Sequence, residues 1–243
     1  MPDISEKKLS LPAQIFAETM TDKKSTGFDV EESFDRAESY IHENKKSLTI
    51  ILVVAVVLVG GYFAYNQFIV KPQQANAEKQ MFMAEYYFKN DSLDKAIKGD
   101  GNFPGFEEII SSYGSSKSAN LAHYYLGVSL LRKGQYDDAI AALSKYDAED
   151  DITGAIALGC IGDAYMEKGN KEEAMSFYKK ASDYDQNQFT APIYLMKQAM
   201  ILEMNNDYKS AYDIYNRIKR DFPNSTEARQ VVTYMARAEA HMN

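Results

Sequence analysis

The 243-residue chain contains no tryptophan, a single cysteine and only six prolines. Because Cys160 has no second cysteine to pair with, the fold must be stable without an internal disulfide. The low proline content and the 13 glycines favour helices over turn-rich β structure. No long run of basic residues occurs and the formal net charge is -8, which argues against nucleic acid as a partner because phosphates require a basic surface.

Sequence motifs of catalysis and metal binding are also missing. His42, His123 and His241 lie in separate segments, and the zinc-protease, paired-cysteine, nucleophile-elbow and phosphate-loop patterns are absent. The stretch from Asp183 resembles the start of a calcium loop, but Gln188 stands where glycine is required and Tyr194 where a glutamate ligand is required. We therefore expect a non-enzymatic protein without a cofactor or metal, and a turn at this stretch.

One long hydrophobic run is present, since no residue from Ser47 to Val70 is charged. This length suffices to cross a hydrocarbon core of about 30 Å and predicts a signal anchor over residues 47–70. Lys45 and Lys46 precede the run and aromatic residues end it, which predicts a cytoplasmic N-terminus and an external C-terminus. Ala75-Asn76-Ala77 resembles a signal-peptide cleavage site, but the preceding leader is too long for a cleaved signal peptide.

The leader, residues 1–46, divides into two parts. Residues 1–27 are polar and without period, which predicts a flexible tail. Residues 28–45 are predicted to form an amphipathic helix, with one apolar stripe made by Val30, Phe34, Ala37 and Ile41. This helix either meets a protein partner at the membrane surface or extends the membrane span inward.

A repeated pattern follows Pro72. Small residues recur at Gly127, Gly162 and Ala199, which are 35 and 37 residues apart. Each is followed by a residue suited to a tight turn (Gly134, Gly169, Asn206) and then by a second small residue (Ala139, Ala174, Ala211). The small residues at Gly127, Gly162 and Ala199 would let paired helices approach closely. The residues at Gly134, Gly169 and Asn206 permit the turn between the two helices of a pair.

This pattern resembles the tetratricopeptide repeat, a helix pair of about 34 residues, although no copy has the early tryptophan and only Pro223 matches the late proline. The resemblance implies an all-α solenoid of about four helical pairs over residues 71–224. The stretch 75–88 reads as a degenerate first repeat, and 98–105 as a loop. Residues 225–243 are predicted to form a capping helix, with Asn224 as its N-cap.

Tetratricopeptide proteins usually bind partners on their concave side, so helical spacing gives a candidate protein-binding face. Its methionines suit loose recognition of varied apolar segments. The alternative is that the terminal helix covers these methionines as core. The candidate residues are Tyr124, Val128, Leu131, Arg132, Asp163, Met166, Glu167, Met196, Met200, Glu203 and Met204.

The complete layout, from the stretch 40–46 through one span to Asp221-Phe222-Pro223-Asn224-Ser225, resembles the ancillary Sec-translocon subunits of bacterial inner membranes. That resemblance implies a single-pass inner-membrane protein with periplasmic repeats. It also implies an adaptor function, with translocon subunits, exported polypeptides or periplasmic chaperones as partners. The alternative function is a structural scaffold for outer-membrane or cell-wall assembly.

Overall fold

The computed structural model describes His42 and residues 44–242. The predicted flexible tail and most of the predicted amphipathic helix lie outside the described residues.

Helix α1, Lys45–Tyr65, is wholly aliphatic from Ile50 to Val59 and has no buried residue. A π-helical segment, Asn66–Val70, and helix α2, Lys71–Lys89, follow directly. In the part of the chain that the structure describes, the helix Lys45–Lys89 is the one that is long and apolar enough to cross a membrane, judged by length and composition. Its apolar section contains the predicted span.

The remaining described residues form a stack of helices, and the β structure within residues 44–242 is one isolated bridge, Gly99 to Pro104. Consecutive helices pack as pairs, and the first helices of successive pairs also contact one another, as in a solenoid. The helices are α3 Leu93–Lys98, α4 Phe106–Ser112, α5 Lys117–Arg132, α6 Tyr136–Leu143, α7 Asp151–Glu167, α8 Lys171–Tyr184, α9 Ala191–Met204, α10 Tyr208–Asp221 and α11 Thr226–Met242. The prediction of an all-α solenoid is confirmed.

The small residues of the repeat lie where paired helices meet. A Cβ atom on Gly127 would come within 2.4 Å of Leu143 Cγ, and one on Gly162 within 2.6 Å of Tyr178 Cδ1. Ala139, Ala174 and Ala211 are fully buried. Larger side chains at these positions would hold each pair apart, so these residues set the close packing of the stack.

The turns between paired helices use the left-handed backbone conformation. Gly134, Gly169 and Asn206 have φ angles of 75°, 77° and 61°. Glycine adopts this conformation without strain and asparagine tolerates it, which explains why these residue types recur at the predicted turns.

The cap of the last helix differs from the prediction by one residue. Ser225 Oγ, and not Asn224, accepts a hydrogen bond from Ala228 N at 3.0 Å, and α11 begins at Thr226. Serine and asparagine are both good N-caps, so residue type alone does not fix the helix start. Val231 and Ala238 of α11 are fully buried.

The first pair is irregular because two short helices, α3 and α4, stand where one second helix is expected. Between them the loop around Asp100 is held by that carboxylate. Asp100 Oδ1 accepts from Asn102 N at 2.9 Å and Phe103 N at 2.8 Å, and Tyr87 Oη donates to Oδ2 at 2.7 Å. The Tyr87 hydrogen bond, followed by the two backbone bonds, lowers the pKa of Asp100 to about 2. The predicted loop is therefore an ordered turn.

Candidate protein-binding groove

A groove of about 660 Å³ crosses the middle of the stack. Its walls come from three successive helix pairs, since α5, α7 and α9 each contribute the C-terminal part of the helix. It is lined by Leu131, Arg132, Gly134, Tyr136, Asp163, Met166, Glu167, Tyr178, Lys197, Met200, Ile201 and Met204.

A charged cluster fixes the floor of the groove. Tyr178 Oη of α8 donates a 2.6 Å hydrogen bond to Asp163 Oδ1 of α7. Lys197 Nζ of α9 forms an ion pair with the same Asp163 oxygen and lies 5.3 Å from the centre of the Tyr178 ring. Because Asp163 and Lys197 are each about one-third exposed, the pair is accessible from the groove while joining three helices.

Burial disfavours ionisation of the hydroxyl and thiol groups in and beside this cluster. Burial is the main cause that raises the pKa of Tyr178 and of Tyr194, and the hydrogen bond to Asp163 raises that of Tyr178 further. Burial also raises the pKa of the Cys160 thiol to about 11, with a smaller contribution from Asp163. A thiol with this pKa is a poor nucleophile at neutral pH, and Cys160 packs against the cluster of Leu143, Ala157 and Ile161.

Two further charged residues lie on the groove wall. Arg132 Nη2 is 2.9 Å from Asp91 Oδ1, and its guanidinium lies 5.3 Å from the centre of the Phe88 ring. Across the groove, Tyr136 Oη donates to Glu167 Oε2 at 3.4 Å. The groove therefore presents cationic and anionic side chains whose positions are fixed by neighbouring residues. Such groups suit the polar part of a ligand that also has apolar parts.

The apolar part of the groove comes mainly from methionine. Met200 and Met204 have 37% and 56% of their surface exposed, and Met166 is half-buried. Methionine is unbranched and adapts its shape to a bound group at low cost. These side chains can accommodate apolar segments of different shapes.

The structure brings seven of the eleven candidate residues together in the groove and leaves four outside it. Those in the groove are Leu131, Arg132, Asp163, Met166, Glu167, Met200 and Met204. That they bind protein stays a prediction.

Met196 was expected on the same face, and that expectation is wrong. Met196 is buried in a cluster that includes Ala228 and Val231 of the terminal helix. Successive helical residues are about 100° apart, so residues spaced by four drift by about 40° at each step. The groove face of α9 instead continues to Lys197, three residues before Met200, and Met196 lies in the buried cluster shared with α11.

The other three candidates make contacts outside the groove. Tyr124 and Val128 are partly buried against the cluster of Leu143, Ala157 and Ile161. Burial raises the pKa of Tyr124 to about 12. Glu203 forms an ion pair with Arg237 of the terminal helix. These residues hold the stack together beside the groove.

Sequence reasoning missed Tyr136, Tyr178 and Lys197. Lys197 carried a usable signal, because it shares a helix face with Met200 and Met204 at spacings of three and seven. Tyr178 carried none, since its approach to Asp163 depends on how α8 packs against α7.

The stretch that resembles a calcium loop is a turn between two pairs. Asp183 and Tyr184 are the last residues of α8, and residues 185–190 lie between α8 and the start of α9 at Ala191. Asn187 Oδ1 accepts hydrogen bonds from Phe189 N and Thr190 N, both at 2.8 Å. The predicted inter-repeat turn is confirmed.

Stacked helix pairs with a groove across three of them are the architecture of helical-repeat proteins. Three models of the tetratricopeptide repeat match the chain, over residues 106–151, 130–200 and 194–225. Residues 106–225 are therefore similar to tetratricopeptide repeats, which generally act as non-catalytic scaffolds.

Two solved structures share the fold. Both are crystal structures of nearly identical TPR-like repeats of a putative kinesin light chain from Podosopora anserina, one of them a glutamine-to-methionine point variant. The variant is 13% identical and the other 12%; each has a TM-score of 0.53, with 69% of this chain and 87% of the other covered. No curated protein matches the chain in sequence.

Proposed function

We propose that the protein is a membrane-anchored adaptor that binds segments of other polypeptides in the groove. The observation that carries this proposal is the groove itself, which combines residues of three repeats, flexible methionines and a fixed Asp163–Lys197 pair. A segment with apolar side chains and at least one polar group would satisfy both kinds of wall.

Residues 47–70 form the proposed anchor. The charge-free run, the exposure of its aliphatic side chains and the length of the helix Lys45–Lys89 support this assignment. The lysines before the run support a cytoplasmic N-terminus, so the repeats would lie on the outer side of the bacterial inner membrane.

The proposed location is beside the Sec translocon, where emerging chains and periplasmic chaperones are the ligands. The resemblance of the layout to the ancillary translocon subunits supports this step. Tetratricopeptide repeats occur in many unrelated adaptors, so the repeats support binding and the resemblance supports the location.

Site-specific photo-cross-linking in intact cells tests the proposal. A photoreactive amino acid replaces Met200 in the groove or, as a control, Val232, which is 56% exposed on the terminal helix. We expect the probe at Met200 to cross-link to translocon subunits, exported chains or chaperones, and the probe at Val232 to give markedly less of the same products.

Substitution of the groove provides a second arm. Met200→Glu places a charge on the apolar wall and should reduce cross-linking from a probe at Met204, whereas Val232→Glu should not. Products confined to cell-wall or outer-membrane assembly proteins would instead favour the envelope scaffold. Equal products from the probes at Met200 and Val232 would contradict the groove as the binding site.

A further inference from the structure

Four charged side chains line the groove, and three of them are neutralised by the protein itself. Lys197 forms an ion pair with Asp163, and both belong to the groove. Arg132 forms an ion pair with Asp91, which does not line the groove. The fourth charged side chain is that of Glu167, which is exposed.

Glu167 forms no ion pair within residues 44–242. Its hydrogen-bond partner there is the hydroxyl of Tyr136, which is neutral and donates at 3.4 Å. The following residue, Lys168, instead forms an ion pair with Asp137 of α6. Because a carboxylate can accept several hydrogen bonds at once, most of the accepting capacity of Glu167 remains available to a ligand.

Glu167 also lies where a cation is favoured. It is the last residue of α7, and the last residues of α5 and α9, Arg132 and Met204, line the same groove. The C-terminal end of a helix carries a partial negative charge, which favours cations and disfavours anions. Glu167 therefore does not stabilise its own helix end, and a bound cation would interact favourably with both the carboxylate and the helix.

The excess of negative charge continues along α5 beyond the groove. Leu121 and Arg132 are eleven residues apart and therefore lie about three turns apart on one face of this helix. Leu121 lines a neighbouring cavity of about 410 Å³, whose charged residues are Glu78, Glu85, Glu149, Asp150 and Lys117. A segment that extends from the groove along this face would meet net negative charge, which attracts basic segments and repels acidic ones.

We propose that the segments bound in the groove carry a basic side chain, of lysine or arginine, that pairs with Glu167 beside apolar side chains that contact the methionines. This inference rests on the proposed function, because it specifies the ligand of the same groove. Since Glu167 is exposed, water screens the pair, so the pair selects among segments and the apolar contacts supply most of the affinity.

Selection from a random peptide library tests the proposal. The probe is a library of nine-residue peptides displayed on phage, and the target is the immobilised, detergent-solubilised full chain. We expect lysine and arginine to be enriched roughly threefold over the unselected library, together with apolar residues. Glu167→Gln should return the basic residues to their starting frequency, and Glu167→Lys should enrich aspartate and glutamate in their place.

Glu172→Gln is the matched control, since Glu172 is an exposed carboxylate of α8 that does not line the groove. It should select the same peptides as the unaltered chain. One selected peptide is then measured by fluorescence anisotropy with its basic residue replaced by norleucine. This replacement should weaken binding roughly threefold for the unaltered chain and for Glu172→Gln, but should have no effect for Glu167→Gln.

The outcomes separate this inference from the proposed function. Met200→Glu reports whether peptides bind in the groove, because it should reduce the recovery of all of them. Groove-dependent peptides with basic residues at their starting frequency overturn this inference alone, and so does an equal enrichment of basic residues by Glu167→Gln. If no peptide is enriched, or if Met200→Glu changes nothing, the proposed function fails and this inference fails with it.

Discussion

Gly162 and Gly154 lie on the same helix and give a matched test of how tightly the pairs are packed. A Cβ atom on Gly162 would come within 2.6 Å of two atoms of the Tyr178 ring, which is only 3% exposed and is held by Asp163. A Cβ atom on Gly154 would come within 2.4 Å of the Tyr184 ring, which is 44% exposed and can swing into solvent.

Gly162→Ala should therefore be destabilising. Replacing glycine by alanine inside a helix favours folding by about 1 kcal/mol. Overpacking a buried site costs about 1–3 kcal/mol, and the short approach to an immobile ring places Gly162 at the upper end of that range. The expected net loss is about 1–2 kcal/mol, or a decrease in Tm of roughly 2–8 °C for a folded unit of this size.

The assay is thermal unfolding of the detergent-solubilised chain followed by circular dichroism. Gly154→Ala is the control and should raise the free energy of unfolding by up to about 1 kcal/mol, since the helix-forming gain of alanine remains once Tyr184 rotates away from the new methyl group. If Gly162→Ala were as stable as Gly154→Ala, the inference that Tyr178 is immobile between α7 and α8 would be refuted.

Two further predictions concern the ends of the stack. The folded-state pKa of Asp100 lies below its ordinary value, so its contribution to stability is present above about pH 4 and is lost as the pH falls towards 2. Measured Tm values between pH 5 and pH 2 should therefore depend less on pH in Asp100→Asn than in the unaltered chain, and equal slopes would contradict the role of the carboxylate. Ser225→Ala should cost about 1 kcal/mol by removing the N-cap of α11. Asn224→Ala, at an exposed neighbouring residue, should cost less than about 0.5 kcal/mol in the same Tm measurement, and the reverse order would mean that Asn224 caps the helix.

The repeat positions could be predicted because their causes are local. A turn with positive φ requires glycine or asparagine, which identifies Gly134 as a turn residue. A close helix crossing requires a small residue, which identifies Gly162 as a packing position. The apolar run before the repeats could also be predicted, because its length is read directly from the sequence. The irregular first pair could not be predicted in this way, because its second helix is replaced by two short helices around an Asp100 turn.

The composition of the groove was only partly predictable for a related reason. The helical period of α9 identifies Met200 and Met204, but it does not say which neighbouring face the terminal helix covers. The link between Asp163, Tyr178 and Lys197 joins residues of three helices, and no spacing within one helix contains it. Such links depend on how successive pairs stack, which sequence periodicity does not determine.

Helix α11 packs against the stack and leaves the groove accessible. In a solenoid, each helix pair packs one face against the element that follows it, and here Val231 and Ala238 of α11 are fully buried in that packing. This stacking face is different from the face that lines the groove, so α11 buries Met196 and engages Glu203 without covering Met200 or Met204. The exposure of those two methionines is therefore a consequence of the direction in which the repeats stack, and it would persist if further repeats followed.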